Sequence, residues 1–235
     1  MDIRLDGNKL IPLHNIKYVG ITFDEHLTFT EHIELLNAKL KRTNNLLAIS
    51  RHYVSTELLI QIYYGQFYSN LNYGCQIWGQ DQNQLEKTNV LQKKAIRLIT
   101  FSHYLEHSSP LFKQLNLLKL KDIITMNNVI FTHNTLNNKS PLIFKDYFKP
   151  KTINHRPMTL NLIYSIPKGS LEVPTTNTNF GAKSIRNICT TQWNDILRLL
   201  SIENYSEYCK CEYWLQHSKL NSFKNMVKDH FIKNY

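Results

Sequence analysis

The sequence predicts a mainly α protein with small β elements, an α+β arrangement, and three observations predict it. Apolar residues recur at helical spacing from residue 30 to 136 and again after residue 180. Strand-like signals are short and confined to the first 29 residues and to the stretch around 158–173. At 235 residues and 42% hydrophobic, the chain can bury one sizeable core, or one and a smaller satellite.

The N-terminal β unit rests on Asp6-Gly7-Asn8, set between Ile3-Arg4-Leu5 and Lys9-Leu10-Ile11. Asp-Gly supplies the positive φ angles of a tight hairpin turn. Ile16 to Phe23 reads as a second strand unit, in which Gly20 permits close backbone approach or relieves crowding. Asp24-Glu25-His26 makes a polar turn, and a helix starts near Thr30. Glu31 and Glu34 sit where the helix macrodipole favours negative charge, a structural task rather than acid–base catalysis. Ile33, Leu36, Leu40 and Leu47 form its apolar stripe, with Lys39 and Arg42 on an exposed flank.

The next helix begins at Ser55 or Thr56, whose hydroxyl suits an N-cap, and runs through Leu59, Ile62, Tyr63 and Phe67. Gly65 costs such a helix about 1 kcal/mol relative to alanine, which predicts a close packing partner there. Tyr73-Gly74 and Trp78-Gly79 then bracket a connector that turns tightly and buries one large ring. From about Gln84 to Thr100, Thr88, Leu91, Ala95, Leu98 and Ile99 mark a buried arc. Lys87, Lys94 and Arg97, with Lys93 further round, lie beside it. Such a basic face is either a solvated flank or a surface that tracks phosphates. Together with Lys39, Arg42 and Arg51, these are the candidate nucleic-acid-binding residues, provided the helices fold side by side.

Beyond residue 100, Ser109 caps a short helix with Pro110 at its first position. Leu120 to Leu136 forms a longer helix, on which His133 is a packed or rim histidine. Asn137 to Pro141 breaks the pattern and marks a boundary; Pro141 opens another short helix to about Phe148. Met158 to Ile166 alternates as a strand that turns at Pro167-Lys168-Gly169 toward Leu171-Glu172-Val173, one C-terminal β-hairpin. Phe180 to Leu200 is helical, and Tyr205 to Tyr235 is a helical tail expected to dock loosely or fray.

A formal charge of +10 favours an anionic partner, and nucleic acid is the simplest. Four scattered cysteines make no disulfide framework, Met1-Asp2-Ile3-Arg4 opens no secretory signal, and no apolar run spans a membrane. The expected setting is intracellular, nuclear or cytoplasmic. Cys209 and Cys211 with His217 and His230 have the donor types zinc accepts, but Cys-x-Cys departs from common knuckle spacing, which favours packed or partly exposed thiols near Trp214 and leaves the four a weak metal candidate. No phosphate loop, nucleophile elbow or His-Glu-x-x-His helix is present.

Lys17-Tyr18-Val19-Gly20-Ile21, Leu27 to Ile33, Tyr73-Gly74…Trp78-Gly79 and Leu91 to Ile99 occur in that order. So do Ser108 to Phe112, Leu115 to Leu118, Asn138 to Pro141 and Trp193-Asn194. This ordered set resembles the region downstream of the catalytic palm in reverse transcriptases of LINE-type retrotransposons, those without long terminal repeats. The resemblance implies an end-of-palm-like β unit over 1–29 with a primer-end-like turn at Tyr18 and Gly20. It further implies a thumb-like helical region over 30–137 and the polymerase's C-terminal region over 138–235. Tyr73, Gly74, Trp78, Gly79 and Trp193 take structural roles in it. Polymerases of this kind hold two Mg2+ ions through aspartates that include an Asp-Asp pair. No Asp-Asp pair occurs in this sequence. The chain therefore reads as a truncated, catalytically incomplete fragment with no cofactor of its own, no enzymatic activity, and at most weak RNA or DNA backbone binding. The alternative is a host-retained interaction or nucleic-acid-binding module that self-associates through an exposed apolar surface around Tyr73 and Trp78.

Overall fold

The computed structural model describes residues 4–6, 8–9, 13–151, 169–203 and 220–235. The N-terminal hairpin pairs β1 (Arg4–Leu5) with β2 (Asn8–Lys9). A second hairpin pairs β3 (Asn15–Tyr18) with β4 (Ile21–Asp24), and Tyr18 opposes Ile21 across a two-residue loop. Val19 (φ 46°) and Gly20 (φ 80°) both take positive φ there, the requirement of a type I′ turn. Gly20 does so freely, whereas the β-branched Val19 is strained in that region.

Asp24 ends β4 and organises the entry to the first helix. Its carboxylate accepts backbone N–H bonds from His26 (3.2 Å), Thr28 (2.9 Å) and Phe29 (2.5 Å). Partial burial would raise its pKa, but these bonds outweigh burial and hold it below the ordinary range.

Helix α1 (Thr30–Ser50) buries Ile33, Leu36, Leu40 and Leu47 as its spacing predicts. It also buries Asn37, Thr43 and Asn44. After α2 (Thr56–Ile62) the helix widens into a π-helical turn over Tyr63–Tyr68 before α3 (Ser69–Asn72) and α4 (Cys75–Trp78). The π turn stacks Tyr63 on Phe67 at 5.3 Å between centroids, with both rings fully buried. Two expectations fail here. Ser55 is the N-cap of α2 but makes no side-chain capping bond, and a Cβ on Gly65 would meet nothing within 4 Å. Gly65 therefore lies on an open face.

Residues Gln82–Leu85 make a 3-10 turn that leads into α5 (Glu86–Thr100). Helices α1 and α5 run parallel, as their successive contacts show. Thr30 bonds Gln84, Asn37 accepts from Thr88 Oγ1 at 2.8 Å, and Asn44 Nδ2 donates to Leu91 O at 3.0 Å. The buried arc of α5 is rotated from the one expected: Gln92 and Ile96 are inside, Leu91 and Leu98 only half-buried. Gln92 donates through Nε2 to Tyr63 Oη and Leu118 O, and accepts from Leu120 N.

Next come α6 (Ser108–Gln114) and α7 (Leu120–Leu136), the latter with the bounds expected. Helix α6 starts at Ser108, one residue before the expected Ser109 cap, and Ser109 Oγ accepts from Lys119 Nζ instead of capping it. Leu142–Phe144 is only a 3-10 turn, not a helix to Phe148. The strand expected over 158–166 lies outside the described residues, but Leu171 bridges Pro150 in antiparallel fashion. Helices α8 (Asn179–Ala182) and α9 (Ile185–Glu203) follow, and α9 packs along α7. Trp193 Nε1 donates to Gly169 O, and the Asn194 amide bonds both N and O of Leu171. The Trp-Asn pair thus pins residues 169–171 onto α9. His133 is buried and stacked on Phe223 at 4.6 Å, a packed histidine.

Of the tail expected to dock loosely or fray, residues 204–219 lie outside the described residues, and 220–235 dock against α6 and α7. In α10 (Leu220–Lys233), Phe223 and Val227 are buried. Beyond it, Tyr235 Oη donates to Asp122 Oδ2 at 2.5 Å, accepts from Lys119 N, and its ring lies under Lys119 Nζ. Burial raises the Asp122 pKa above its ordinary value of 3.8, more than the Tyr235 bond and the nearby Lys119, Lys121 and His230 charges lower it. A carboxyl with a raised folded-state pKa loses its stabilising contribution as pH rises from the ordinary value through the folded one. Asp122→Asn should therefore gain stability relative to the parent chain as pH rises above about 4, read from urea midpoints at each pH. A difference that stays flat with pH would refute this.

Candidate nucleic-acid interface

The turn at Val19-Gly20 and the connector at Tyr73-Gly74 are far apart in sequence and joined in space. Tyr73 Oη donates to Val19 O at 2.5 Å, and the Tyr73 ring would lie 3.4 Å from a Cβ on Gly20. Gly74 (φ 60°) sets up the approach, since a Cβ there would fall 2.5 Å from Ile21 Cδ1. Trp78 fixes the other side by donating Nε1 to Tyr73 O at 2.8 Å, while Gly79 lets the end of α4 press against Ile124. Trp78 is buried, so the expected self-association surface does not include it. Exposed apolar side chains lie instead along β3 and its turn, at Ile16, Tyr18 and Val19.

Between this turn and α1 opens a cleft of about 270 Å³. Lys17, Lys39 and Arg42 line it together with His32, Asn70 and Tyr73, and no carboxylate does. Lys39 and Arg42 are solvent-exposed, so their charges are free to meet a ligand. His32 accepts weakly from Thr22 N at 3.4 Å. Burial lowers its pKa and the Lys39 charge lowers it further, leaving a neutral ring at neutral pH. The result is a cationic notch with a neutral polar floor, suited to a phosphate group.

The other predicted cations lie elsewhere. Asn37 and Asn44 face α5, and at 100° per residue Arg42 is turned through nearly half the helix circumference from Asn44. The cleft therefore opens on the opposite side of α1 from α5, which carries Lys87, Lys93 and Lys94 exposed. Lys93 stands near Lys119, whose pKa is lowered by burial and by that charge despite the pull of Asp122. Arg51 and Arg97 sit at the far ends of their helices, each held by an uncharged group that leaves its charge in place. The Arg51 guanidinium lies 4.5 Å from the Phe101 centroid, and Arg97 gives Nε and Nη2 to Glu106 O at 2.9 and 2.7 Å. Lys17 belonged to the motif series but to no predicted cationic set; only the fold brings it to Lys39. Of the weak metal candidates, Cys209, Cys211 and His217 lie outside the described residues, while His230 is buried in α10 beside Phe231. Among the described residues, no three His, Cys, Asp or Glu side chains gather around a metal position. No helix among them is long and apolar enough to cross a membrane.

Fold and cleft together define a basic, mainly helical scaffold with Lys17, Lys39 and Arg42 on one cleft. The chain is similar to RNA-directed DNA polymerases of LINE-type mobile elements, which bears out the resemblance carried by its motifs. It is 30% identical over 112 residues to the probable RNA-directed DNA polymerase from transposon X-element of Drosophila melanogaster, 46% of this chain and 12% of that protein. To the RNA-directed DNA polymerase from mobile element jockey of Drosophila melanogaster it is 30% identical over 125 residues, 51% of this chain and 14% of that protein. The jockey polymerase of Drosophila funebris is 32% identical over 103 residues, 42% and 11% of the two chains. The chain thus spans between 11% and 14% of the length of these relatives. No protein-family model and no solved structure matches it.

Proposed function

We propose that this chain is the thumb-like and C-terminal portion of a retrotransposon RNA-directed DNA polymerase, catalytically incomplete as it stands. Its own activity is to hold an RNA or DNA backbone without reading sequence. The three-domain division at residues 29 and 137 is part of this reading. The observation that carries it is the convergence of Lys17, Lys39 and Arg42 on one cleft beside the Tyr73-tethered turn. Support also comes from the similarity to polymerases and from a sequence without an Asp-Asp pair. Phosphates entering the cleft displace condensed counterions, so the binding is weak at moderate salt and stronger at low salt.

The test is equilibrium binding of a labelled duplex across a salt series. Exchanging Lys39 and Arg42 for alanine removes two phosphate contacts and should flatten the log–log salt dependence by about 2. Affinity should fall about equally for unrelated sequences, and nucleotide incorporation should be absent from parent and variant alike. An unchanged salt slope would reject the cleft as the phosphate site. No binding even at low salt would favour a protein-interaction module instead.

A further inference from the structure

We propose that the tip where α1 and α5 end together is a stacking platform for unpaired bases of a single-stranded nucleic acid. Both helices stop at the same level, and the chain beyond each folds back sharply. Tyr53 N and Val54 N bond Ser50 O after α1. After α5, Phe101 takes a left-handed conformation (φ 58°), Ser102 N reaches Arg97 O, and Arg97 ties down Glu106 O. The tip is thus built and ordered before any ligand arrives.

What it presents is unusual for a tip held this tightly. Tyr53 is 83% exposed, Tyr104 73% and Phe101 51%. Rings of this size normally bury most of their area, and large apolar exposure marks interaction sites. The Arg51 guanidinium lies over Phe101, Arg51 Nε is buried with no hydrogen-bond partner, and the His103 ring lies 4.5 Å from that of Tyr104.

Charge selects the partner. Arg51 and Arg97 stand with these rings, and the tip segments 51–53 and 97–107 contain a single carboxylate residue, Glu106. Exposed rings beside guanidinium groups match a polyanion whose every base offers a π face. A duplex hides those faces in its own stack, so the platform selects unpaired strands. This site differs from the cleft in both place and physics: stacking is nearly independent of salt, whereas phosphate contact is not.

The experiment compares a short labelled oligothymidylate with a duplex of equal length, using the full chain and the Tyr53→Ala/Tyr104→Ala variant. Both side chains project into solvent, and an unchanged urea midpoint confirms that the variant folds. Single-strand affinity should fall roughly tenfold per ring, duplex affinity should stay the same, and the salt slope should not move. Substituting Lys39 and Arg42 instead changes the slope on both ligands, so failure of the cleft and failure of the tip are distinguishable. Unchanged single-strand affinity overturns the proposal, as does an equal loss on duplex. Finding that the substitutions dissolve a dimer while leaving oligonucleotide binding intact would assign the tip to a second copy of this chain and overturn it equally.

Discussion

Replacing Gln92 by leucine should destabilise the protein by roughly 3 to 4 kcal/mol, although leucine fills a similar volume. Gln92 is buried and joins three segments: the π turn through Tyr63 Oη, the α6–α7 connector through Leu118 O, and the first residue of α7 through Leu120 N. Each of these groups is itself buried, so losing Gln92 leaves them without the water that would replace it. A stranded buried donor or acceptor costs roughly 1–3 kcal/mol. Burial raises the Tyr63 phenol pKa strongly, and the Gln92 bond offsets part of the rise. Leu91, the residue that apolar periodicity places inside, is only half-buried. Leu91→Ala should therefore cost less than Gln92→Leu, and urea denaturation of the two variants checks the order. The reverse order would mean that the polar hub carries little stability.

That contrast shows where the sequence is legible and where it is not. Stripes such as Ile33, Leu36, Leu40 and Leu47 repeat at the helical period, so burial of one predicts burial of the next. Gln92, Asn37 and Asn44 break the apolar pattern because their partners lie 26 to 51 residues away, and no local rule pairs them. The π turn is invisible for a related reason: a hydrogen-bond shift that suits Tyr63 on Phe67 is decided by packing, not propensity. For the candidate site, local reading found the cations but not their grouping. Lys39 and Arg42 share an exposed flank, yet whether Lys17 or Lys87 joins them depends on which side of α1 the β3–β4 hairpin takes. Arg51 and Arg97 look like Lys94 in sequence, and only the neighbouring Phe101 and Glu106 carbonyl show them engaged. Trp193-Asn194 reads as a motif, but its role in gripping Leu171 needs the chain on both sides.

Three alanine substitutions at glycines of the connector region should separate space from conformation, with Gly79→Ala the most damaging. A Cβ there would fall 2.4 Å from Cys75 O, a backbone atom already accepting from Gly79 N, and 2.8 Å from Ile124 Cδ1 on α7. Cys75 O is backbone and cannot yield without moving α4, and at Ile124 both Cδ1 and Cγ1 (3.1 Å) must give way, so a loss of about 2–4 kcal/mol follows. At Gly74 the φ of 60° is itself unfavourable for alanine by roughly 1–2 kcal/mol. The atom met at 2.5 Å is the tip of the flexible Ile21 side chain, which rotates away. Its shift also loosens the turn that Tyr73 holds, so Gly74→Ala should weaken nucleic-acid binding at the cleft beyond its effect on stability. Gly65 has open space and no positive φ, and alanine there reduces the freedom of the unfolded chain. Gly65→Ala should be neutral or stabilise by up to about 1 kcal/mol. Urea midpoints in the order Gly65→Ala, Gly74→Ala, Gly79→Ala, highest to lowest, are the expected result. A stable Gly79→Ala chain would show that α4 does not press on α7, and with it would go the mechanical link from the α7 core to the Tyr73 tether.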